Sequence, residues 1–146
     1  MNVEKMIIDS SVALKWYLPG EDNADDADRL AVDFFNGRAE LFVPTLFDYE
    51  IINVIKVAVA RNRISDLEAQ SAIARFQLLK IHRRSFFPLQ NRTYRLAVSY
   101  QRSVYDAAYL ALAETLGLDF YTGDKRLYNA VSSIFSRVRW IGDYPV

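Results

Sequence analysis

The feature that most constrains the fold is the repeated alternation of short apolar runs with longer amphipathic segments. Apolar runs of three or four residues are typical of buried parallel strands, whereas apolar residues spaced three and four apart indicate helices. The predicted strands lie at 6–8, 41–43, 120–122 and 138–141, with an ambiguous one near 80–83. The predicted helices lie at 12–18, 23–36, 45–62, 66–79, 91–100, 105–116 and 124–131. This order, without a linker or composition break, predicts one α/β domain over residues 1–146, with a mainly parallel sheet covered by helices.

Two of the predicted helices carry clear end signals. Ser65 followed three residues later by Glu68 forms a capping-box pattern at the start of the helix over 66–79. Gly117 follows the last apolar residue of the helix over 105–116, where a glycine commonly ends a helix. Ser10 and Ser11 precede the predicted helix over 12–18 and are candidates to cap it.

The composition excludes several chemistries. The 146 residues include no cysteine and a single histidine, His82. A disulfide scaffold, a cysteine-ligated zinc site and a thiol nucleophile are therefore excluded, and so is a histidine-rich metal site. The chain also lacks a G-x-S-x-G nucleophile signature. Carboxylates are then the natural carriers of any catalysis, and oxygen ligands favour hard cations such as Mg²⁺ or Mn²⁺.

Charge and hydropathy bear on partners and location. No apolar run is long enough to span a membrane, and the N-terminus reaches Asp9 too soon for a signal peptide. We therefore expect a soluble, cytoplasmic protein. The net charge is zero, but residues 56–102 hold ten Lys and Arg against only two acids, Asp66 and Glu68. This basic middle is suited to phosphates or an acidic partner, although arginines that solvate helix faces explain it more simply.

Four acids stand at positions suited to a shared site: Asp9, Glu50, Asp106 and Asp124. Asp9 and Asp124 follow predicted strands, where sites form in parallel sheets. Glu50 lies on a strongly apolar helix with Asn53 three residues on, and Asp106 opens a small, apolar helix. Each acid also has an ordinary structural explanation, as a helix cap or as the polar edge of an amphipathic helix. Asp48 points to the other side of its helix and is set aside.

The combination is more specific than any single acid, because all four are predicted to reach one end of one sheet. Clustered carboxylates repel one another unless a cation compensates them. A divalent cation relieves that repulsion and supplies the chemistry for hydrolysing phosphodiesters without a histidine. Thr122, at the end of its strand, is suited to orient a water through its hydroxyl. The four acids therefore predict a metal-dependent phosphodiesterase site.

The order and spacing of these segments resemble the PIN-domain family, and within it the VapC toxins of bacterial and archaeal toxin–antitoxin pairs. IIDSSV at 7–12 is similar to the family's opening motif, and YEIINVI at 49–55, after Val43-Pro44, looks like its Glu-x-x-Asn helix. YDAAYLALA at 105–113 is the most specific segment, and TGDKRL at 122–127 resembles the closing motif. Residues 63–100 match no motif.

The resemblance implies a three-layer α/β/α sandwich and a Mg²⁺- or Mn²⁺-dependent endoribonuclease that leaves a 5′-phosphate and a 3′-hydroxyl. By motif position, Asp9, Glu50, Asp106 and Asp124 are the metal-binding and catalytic acids, with Ser11, Asn53 and Thr122 in supporting roles. It further implies an RNA substrate, a homodimer and a cognate antitoxin that inserts into the active-site groove. The candidates to hold the RNA backbone are basic residues of the middle region: Arg61, Arg63, Arg83, Arg84, Arg92 and Arg95.

Three other interpretations remain open from the sequence. A phosphotransfer domain with Asp9 as nucleophile usually has a second Asp two residues later, where this chain has Ser11. A non-catalytic, RNA-binding PIN relative would retain binding without metal-dependent turnover. A housekeeping PIN nuclease in RNA processing would keep the chemistry and lack an antitoxin, and an overlapping upstream frame for a DNA-binding antitoxin would argue against it.

Overall fold

The computed structural model describes residues 2–146, and its strands and helices follow the predicted order. The strands are β1 (Glu4–Ile8), β2 (Ala39–Pro44), β3 (His82–Arg84), β4 (Asp119–Thr122) and β5 (Val138–Trp140). The helices are α1 (Ser10–Ala13), α2 (Ala24–Phe35), α3 (Leu46–Ala60), α4 (Asp66–Leu78), α5 (Gln90–Tyr100), α6 (Val104–Leu116) and α7 (Lys125–Val131). Short 3-10 turns cover Leu14–Trp16, Phe87–Leu89 and Ile141–Asp143.

The strands form one sheet in the order β3-β2-β1-β4-β5, and every pairing between neighbours is parallel. The chain builds outward from β1 through β2 to β3 and then returns to place β4 on the other side of β1. The strand order therefore reverses between β1 and β4. In open parallel sheets, ligands bind in the crevice at the carboxyl ends of the strands beside such a reversal.

Both faces of the sheet are buried under helices. Successive residues of a strand point to opposite faces, so Met6 and Ile8 join one apolar cluster while Ile7 joins the other. The first cluster is covered by α1 to α4, and the second by α5 to α7. The predicted α/β/α sandwich is confirmed, and the sheet is parallel throughout.

The predicted helix ends are also found. The Ser65 side chain accepts a hydrogen bond from the Glu68 amide, and the Glu68 carboxylate accepts one from the Ser65 amide. Gly117 ends α6 with φ of 66°, a left-handed conformation that glycine adopts without strain. One predicted cap was wrong, because Asp9 rather than a serine caps α1.

Two segments differ in detail from the sequence-based expectation. The predicted helix over 12–18 is a short α-helix that continues as a 3-10 turn. The ambiguous segment near 80–83 contains the edge strand β3, whose three residues are all exposed and include Arg83 and Arg84. Within residues 2–146, no helix is both long enough and apolar enough to cross a bilayer.

Candidate active site

Asp9 lies at the carboxyl end of the central strand and is buried there. Its Oδ2 accepts a hydrogen bond of 2.6 Å from the Thr122 hydroxyl, and its Oδ1 accepts from the Ser11 hydroxyl. Oδ1 also accepts from the Val12 amide at 3.3 Å, which makes Asp9 the N-cap of α1. Three neutral donors therefore satisfy a buried carboxylate that ends the middle strand of the sheet.

The two hydroxyls are themselves held by the backbone that follows β4. The Gly123 amide donates to the Ser11 Oγ at 2.8 Å, and the Asp124 amide donates to the Thr122 Oγ1 at 3.0 Å. The two hydroxyl oxygens lie 3.4 Å apart. Hydrogen bonds in such a chain polarise one another, so each amide strengthens the bond that its hydroxyl donates to Asp9. The reversal point between β1 and β4 is thus closed by an amide–hydroxyl–carboxylate network.

Burial dominates the acidity of Asp9. Loss of water raises its pKa from 3.8 to about 6, although hydrogen bonds from Ser11, Thr122 and Val12 act in the opposite direction. The negative charge of Asp124 makes the smallest contribution to this rise. A carboxylate that must ionise here without a cation is destabilising, and a bound cation removes that cost.

Glu50 reaches the same region from the second turn of α3. Its Oε1 accepts a hydrogen bond of 2.5 Å from the hydroxyl of Tyr109 on α6. Burial raises the pKa of Glu50 to about 7, the Tyr109 hydrogen bond lowers it, and the charges of Asp9 and Asp106 raise it. The charges of both acids therefore act on Glu50, and its part in a shared metal site stays a prediction.

Tyr109 is a buried support that holds Glu50 in place. Only 2% of its surface is exposed, and its ring stacks on Phe120 of β4 with centroids 5.3 Å apart. Burial, together with the charges of Glu50 and Asp9, raises its pKa well above the ordinary value. The phenol therefore stays protonated and donates to Glu50 throughout the physiological pH range.

Asp106 lies in the first turn of α6 and is partly buried. The guanidinium of Arg102 holds its carboxylate, with Nη2 and Nε at 3.1 and 3.3 Å from Oδ2. The alternative view of Asp106 as a helix cap was wrong, because Ser103 caps α6 by accepting from the Asp106 amide. Asp106 therefore has no backbone role and its carboxylate is held by a side chain alone.

Asp124 combines a structural role with a place in the cluster. Its Oδ1 accepts hydrogen bonds from the Arg126 and Leu127 amides, which makes it the N-cap of α7. The other oxygen, Oδ2, receives no hydrogen bond from the described part of the chain. A carboxylate that caps with one oxygen keeps the other for a ligand.

Two further predictions on α3 have different outcomes. Asn53 is exposed, and no hydrogen bond joins it to Glu50 among residues 2–146. Its supporting role therefore stays a prediction. Asp48, set aside from the sequence, forms a two-point ion pair with Arg83 at 2.6 and 2.9 Å. Arg83 therefore compensates the charge of Asp48, which was not among the four predicted acids.

Some of the basic residues that were predicted to hold RNA are engaged in other contacts. Arg63 bonds the Pro19 carbonyl, and Arg92 forms a two-point pair with Glu114. Lys15 lies over Gly123, and its Nζ donates to the Asp22 carbonyl at 2.7 Å. A Cβ at Gly123 would lie 2.6 Å from the Lys15 Cε and 3.3 Å from the Ser11 carbonyl oxygen, so the flexible Lys15 side chain would have to move to admit one.

The donor set fits a small divalent cation held partly through water. All candidate ligands are oxygens of carboxylates and hydroxyls, which hard cations prefer. Within residues 2–146, no three Asp, Glu, His or Cys side chains converge tightly enough to enclose an ion. Mg²⁺ commonly binds through one or two carboxylates and keeps several waters, so such an enclosure is not required.

Comparison with known proteins identifies the family. A model of the PIN domain matches residues 6–132, which include all four acids. The chain belongs to the PIN-domain family. As a PIN domain, it is 36% identical to ribonuclease VapC12 of Mycobacterium tuberculosis over 123 residues, covering 84% of this chain and 88% of that protein. It is 30% identical to ribonuclease VapC3 of Pyrobaculum aerophilum over 127 residues, covering 84% and 92%.

Solved structures show the same PIN-type architecture. Crystal structures of PAE2754 from Pyrobaculum aerophilum and of VapC20 from Mycobacterium tuberculosis superpose with TM-scores of 0.64 and 0.62. The first covers 97% of this chain and 92% of its own, and the second covers 86% and 95%. The sequence identities are 19% and 16%, so these comparisons show similarity of fold alone. VapC20 is described as a toxin that cleaves the sarcin-ricin loop.

Two residues of the site were missed by reasoning from the sequence. Tyr109 lies three residues after Asp106, so it shares a helix face with that acid and carries a hydroxyl, which was the available signal. Arg102 lies four residues before Asp106 but outside the helix, so helical spacing did not indicate their contact. Each of them forms a hydrogen bond with a predicted acid, Tyr109 with Glu50 and Arg102 with Asp106.

Proposed function

We propose that this PIN domain is a divalent-metal-dependent endoribonuclease formed by residues 1–146, and the toxin of a VapBC-type toxin–antitoxin pair. Its metal is Mg²⁺ or Mn²⁺, its substrate is RNA, and it works in the cytoplasm as a homodimer restrained by a cognate antitoxin. The names of its relatives, ribonucleases VapC12 and VapC3, support the substrate and the biological role.

The observation that carries the proposal is the environment of Asp9. This buried carboxylate ends the central strand at the reversal of the strand order and receives hydrogen bonds from neutral groups alone. The negative charge of Asp124 acts on Asp9, and the negative charges of Asp9 and Asp106 act on Glu50. Such a surplus of negative charge is stabilised by a cation, and a divalent cation can activate the water that hydrolyses a phosphodiester.

Each acid has a distinct part in this proposal. Asp9 is the fixed ligand, because the hydroxyls of Ser11 and Thr122 hold both of its oxygens. Asp124 offers its free Oδ2, while Glu50 and Asp106 are oriented from outside by Tyr109 and Arg102. When bound, the metal supplies charge neutralisation and lowers the pKa of a coordinated water.

The testing experiment is cleavage of a mixed RNA pool by the purified protein, with Mg²⁺, with Mn²⁺ and with EDTA. We expect metal-dependent cleavage that Asp9→Asn, Glu50→Gln and Asp106→Asn each reduce by at least about 100-fold, as loss of a key charge-stabilising group typically does. Asp48→Asn is the matched control on α3, because its carboxylate pairs with Arg83 and should be dispensable.

Three outcomes would count against the proposal. Cleavage that survives EDTA would exclude a metal role, and cleavage that survives Asp9→Asn would move the site elsewhere. Equal loss in Asp48→Asn and Glu50→Gln would indicate a general effect on α3. Circular dichroism and gel filtration of each variant would separate loss of activity from loss of folding.

The toxin role has its own test. Induced expression in a bacterial host should arrest growth, and co-expression of the neighbouring antitoxin frame should restore it. The Asp9→Asn variant should not arrest growth. RNA cleavage in vitro without growth arrest would favour a housekeeping nuclease, whereas growth arrest by Asp9→Asn would indicate toxicity unrelated to catalysis.

A further inference from the structure

Lys15 is a basic side chain that lies against the turn after β4, where the network around Asp9 closes. A Cβ built on Gly123 would lie 2.6 Å from the Lys15 Cε and 3.3 Å from its Nζ. The Ser11 carbonyl oxygen is 3.3 Å from the same point. The Gly123 amide in turn donates to the Ser11 hydroxyl, which donates to Asp9. Contact therefore places the Lys15 ammonium beside the residues that orient Asp9.

The segment that follows Asp9 brings Lys15 to this place. Ser11 and Lys15 are four residues apart, across α1 and the 3-10 turn that continues it, so they share one face of the segment. The segment starts at the carboxyl end of β1, and parallel α/β proteins bind their ligands at that edge of the sheet. Lys15 therefore lies at the ligand-binding edge, on the side of Ser11.

The charge of Lys15 is oriented but not neutralised. Its Nζ donates to the backbone carbonyl of Asp22 at 2.7 Å, and no carboxylate of residues 2–146 forms a salt bridge with it. By contrast, the guanidinium of Arg102 is paired with Asp106. An ammonium has three donors, so the bond to the carbonyl leaves two for a ligand. A partly buried ammonium in this state is suited to bind an anion.

Gly123 provides the space that the ammonium occupies. The φ of Gly123 is outside the left-handed region, so the backbone of this turn does not require a glycine. A side chain here would instead displace the end of Lys15, whose last two atoms crowd the place of a Cβ. The glycine is therefore explained by the position of Lys15 rather than by the conformation of the turn.

We propose that Lys15 binds a backbone phosphate of the RNA substrate, next to the phosphodiester that is cleaved at the acids. The inference rests on the proposed ribonuclease function. An ammonium binds a phosphate as a point charge, and a phosphate contact fixes the register of the strand without reading its sequence. Lys15 therefore contributes to the affinity and placement of the substrate rather than to the chemical step.

The test is binding of a fluorescein-labelled single-stranded RNA oligonucleotide by fluorescence anisotropy at several salt concentrations, in the Asp9→Asn background. Lys15→Met keeps an aliphatic stem over Gly123 and removes the charge. It should weaken binding by about fivefold to tenfold, between the values for an exposed ion pair and for a hydrogen bond to a charged group. The slope of log Kd against log salt should fall by about 0.7, as expected for one lost phosphate contact.

Gly123→Ala tests the same contact without changing Lys15. Its Cβ should push the ammonium aside, so it should reproduce the weaker binding and the lower salt slope of Lys15→Met. In the double variant the loss should be no larger than in Lys15→Met alone, because both changes remove one contact. A purely structural role of Lys15, in holding the Asp22 carbonyl, would change the melting temperature and leave the salt slope unchanged.

Two further variants make the result specific to this ammonium. Lys15→Arg keeps a positive charge and should retain most of the affinity. Lys5→Met is the matched control, because Lys5 is exposed at the amino end of β1, on the opposite edge of the sheet. It should leave the affinity and the slope unchanged. With Asp9 restored, Lys15→Met should raise the KM for the oligonucleotide and change kcat little.

Several results would overturn the inference. These are unchanged affinity in Lys15→Met or in Gly123→Ala, an equal loss in Lys5→Met, or no RNA binding in the Asp9→Asn background. A loss confined to kcat would assign Lys15 to the chemical step and would also overturn it. Failure of the proposed function is a separate result, because it is the absence of metal-dependent cleavage by the wild-type protein.

Discussion

Replacing Asp9 with asparagine is expected to stabilise the metal-free protein at alkaline pH while it removes metal-dependent activity. The pKa of Asp9 is raised from 3.8 to about 6 in the folded protein. Between these values the folded state binds more protons than the unfolded state, so the free energy of unfolding falls as the pH rises. Above about pH 7, Asp9 is ionised and the free energy of unfolding has lost its full contribution. Asparagine does not ionise, so the variant loses none of it.

The size of the effect follows from that shift. A rise of about two pKa units corresponds to about 3 kcal/mol between the protonation states. The asparagine amide faces the Thr122 hydroxyl that now donates to Oδ2, and reversing this bond costs about 1 kcal/mol. The net gain at pH 8 is about 2 kcal/mol, or about 4–8 °C in melting temperature for a chain of this size. At pH 5 the gain should fall to about 1 kcal/mol or less.

The assay is thermal and urea unfolding of both proteins at pH 5 and pH 8, in EDTA and then with Mg²⁺ or Mn²⁺. Asp28→Asn, at an exposed carboxyl of α2, is the control for loss of one surface charge. Added metal should stabilise the wild type and have little effect on Asp9→Asn. The reasoning is refuted if Asp9→Asn is the less stable protein at pH 8, or if Asp28→Asn gains as much.

Three further predictions concern supports of the site and of the fold. Tyr109→Phe should lower metal-dependent turnover by about tenfold or more and should cost about 1–3 kcal/mol in urea unfolding, since it removes a hydrogen bond to a partly buried carboxylate. Gly123→Ala should cost about 1 kcal/mol or less in urea unfolding, because its Cβ meets the flexible end of Lys15, which can move aside, and the added change Lys15→Ala should remove most of that cost. Ser65→Ala should cost about 1 kcal/mol through loss of the capping box, and should leave RNA cleavage unchanged.

The elements of the fold were predictable because their signals are local. Apolar runs ending at Ile8, Val43 and Thr122 mark strands buried on both faces. The capping residues and apolar spacing that indicate the following helices lie in the adjacent sequence. The edge strand β3 was ambiguous for a physical reason. Its three residues are exposed and polar, so no hydrophobic period distinguishes it from a loop.

The candidate site was predictable only in part. Asp9 and Asp124 are at strand ends, where topology alone brings them to one edge of the sheet. The contact of Tyr109 with Glu50 joins residues 59 positions apart on two helices, and it depends on how α3 and α6 pack. Likewise the pairing of Arg83, a candidate to hold RNA, with Asp48 joins residues 35 positions apart and depends on packing.

The distribution of donors around the acids is the one that the proposed cation site requires. Asp9 lies on the central strand and receives hydrogen bonds from hydroxyls and an amide, which orient its oxygens without cancelling its charge. Glu50 likewise receives a phenol rather than an ammonium or a guanidinium. An arginine at either position would lower the pKa and stabilise the metal-free protein, but it would also occupy the place of the metal. The guanidinium that the cluster does contain, Arg102, is on Asp106, where the acid lies at a helix start and is partly exposed. Under the proposed function, the site therefore gives up stability in the metal-free state at Asp9 and Glu50, where a divalent cation would gain most in binding.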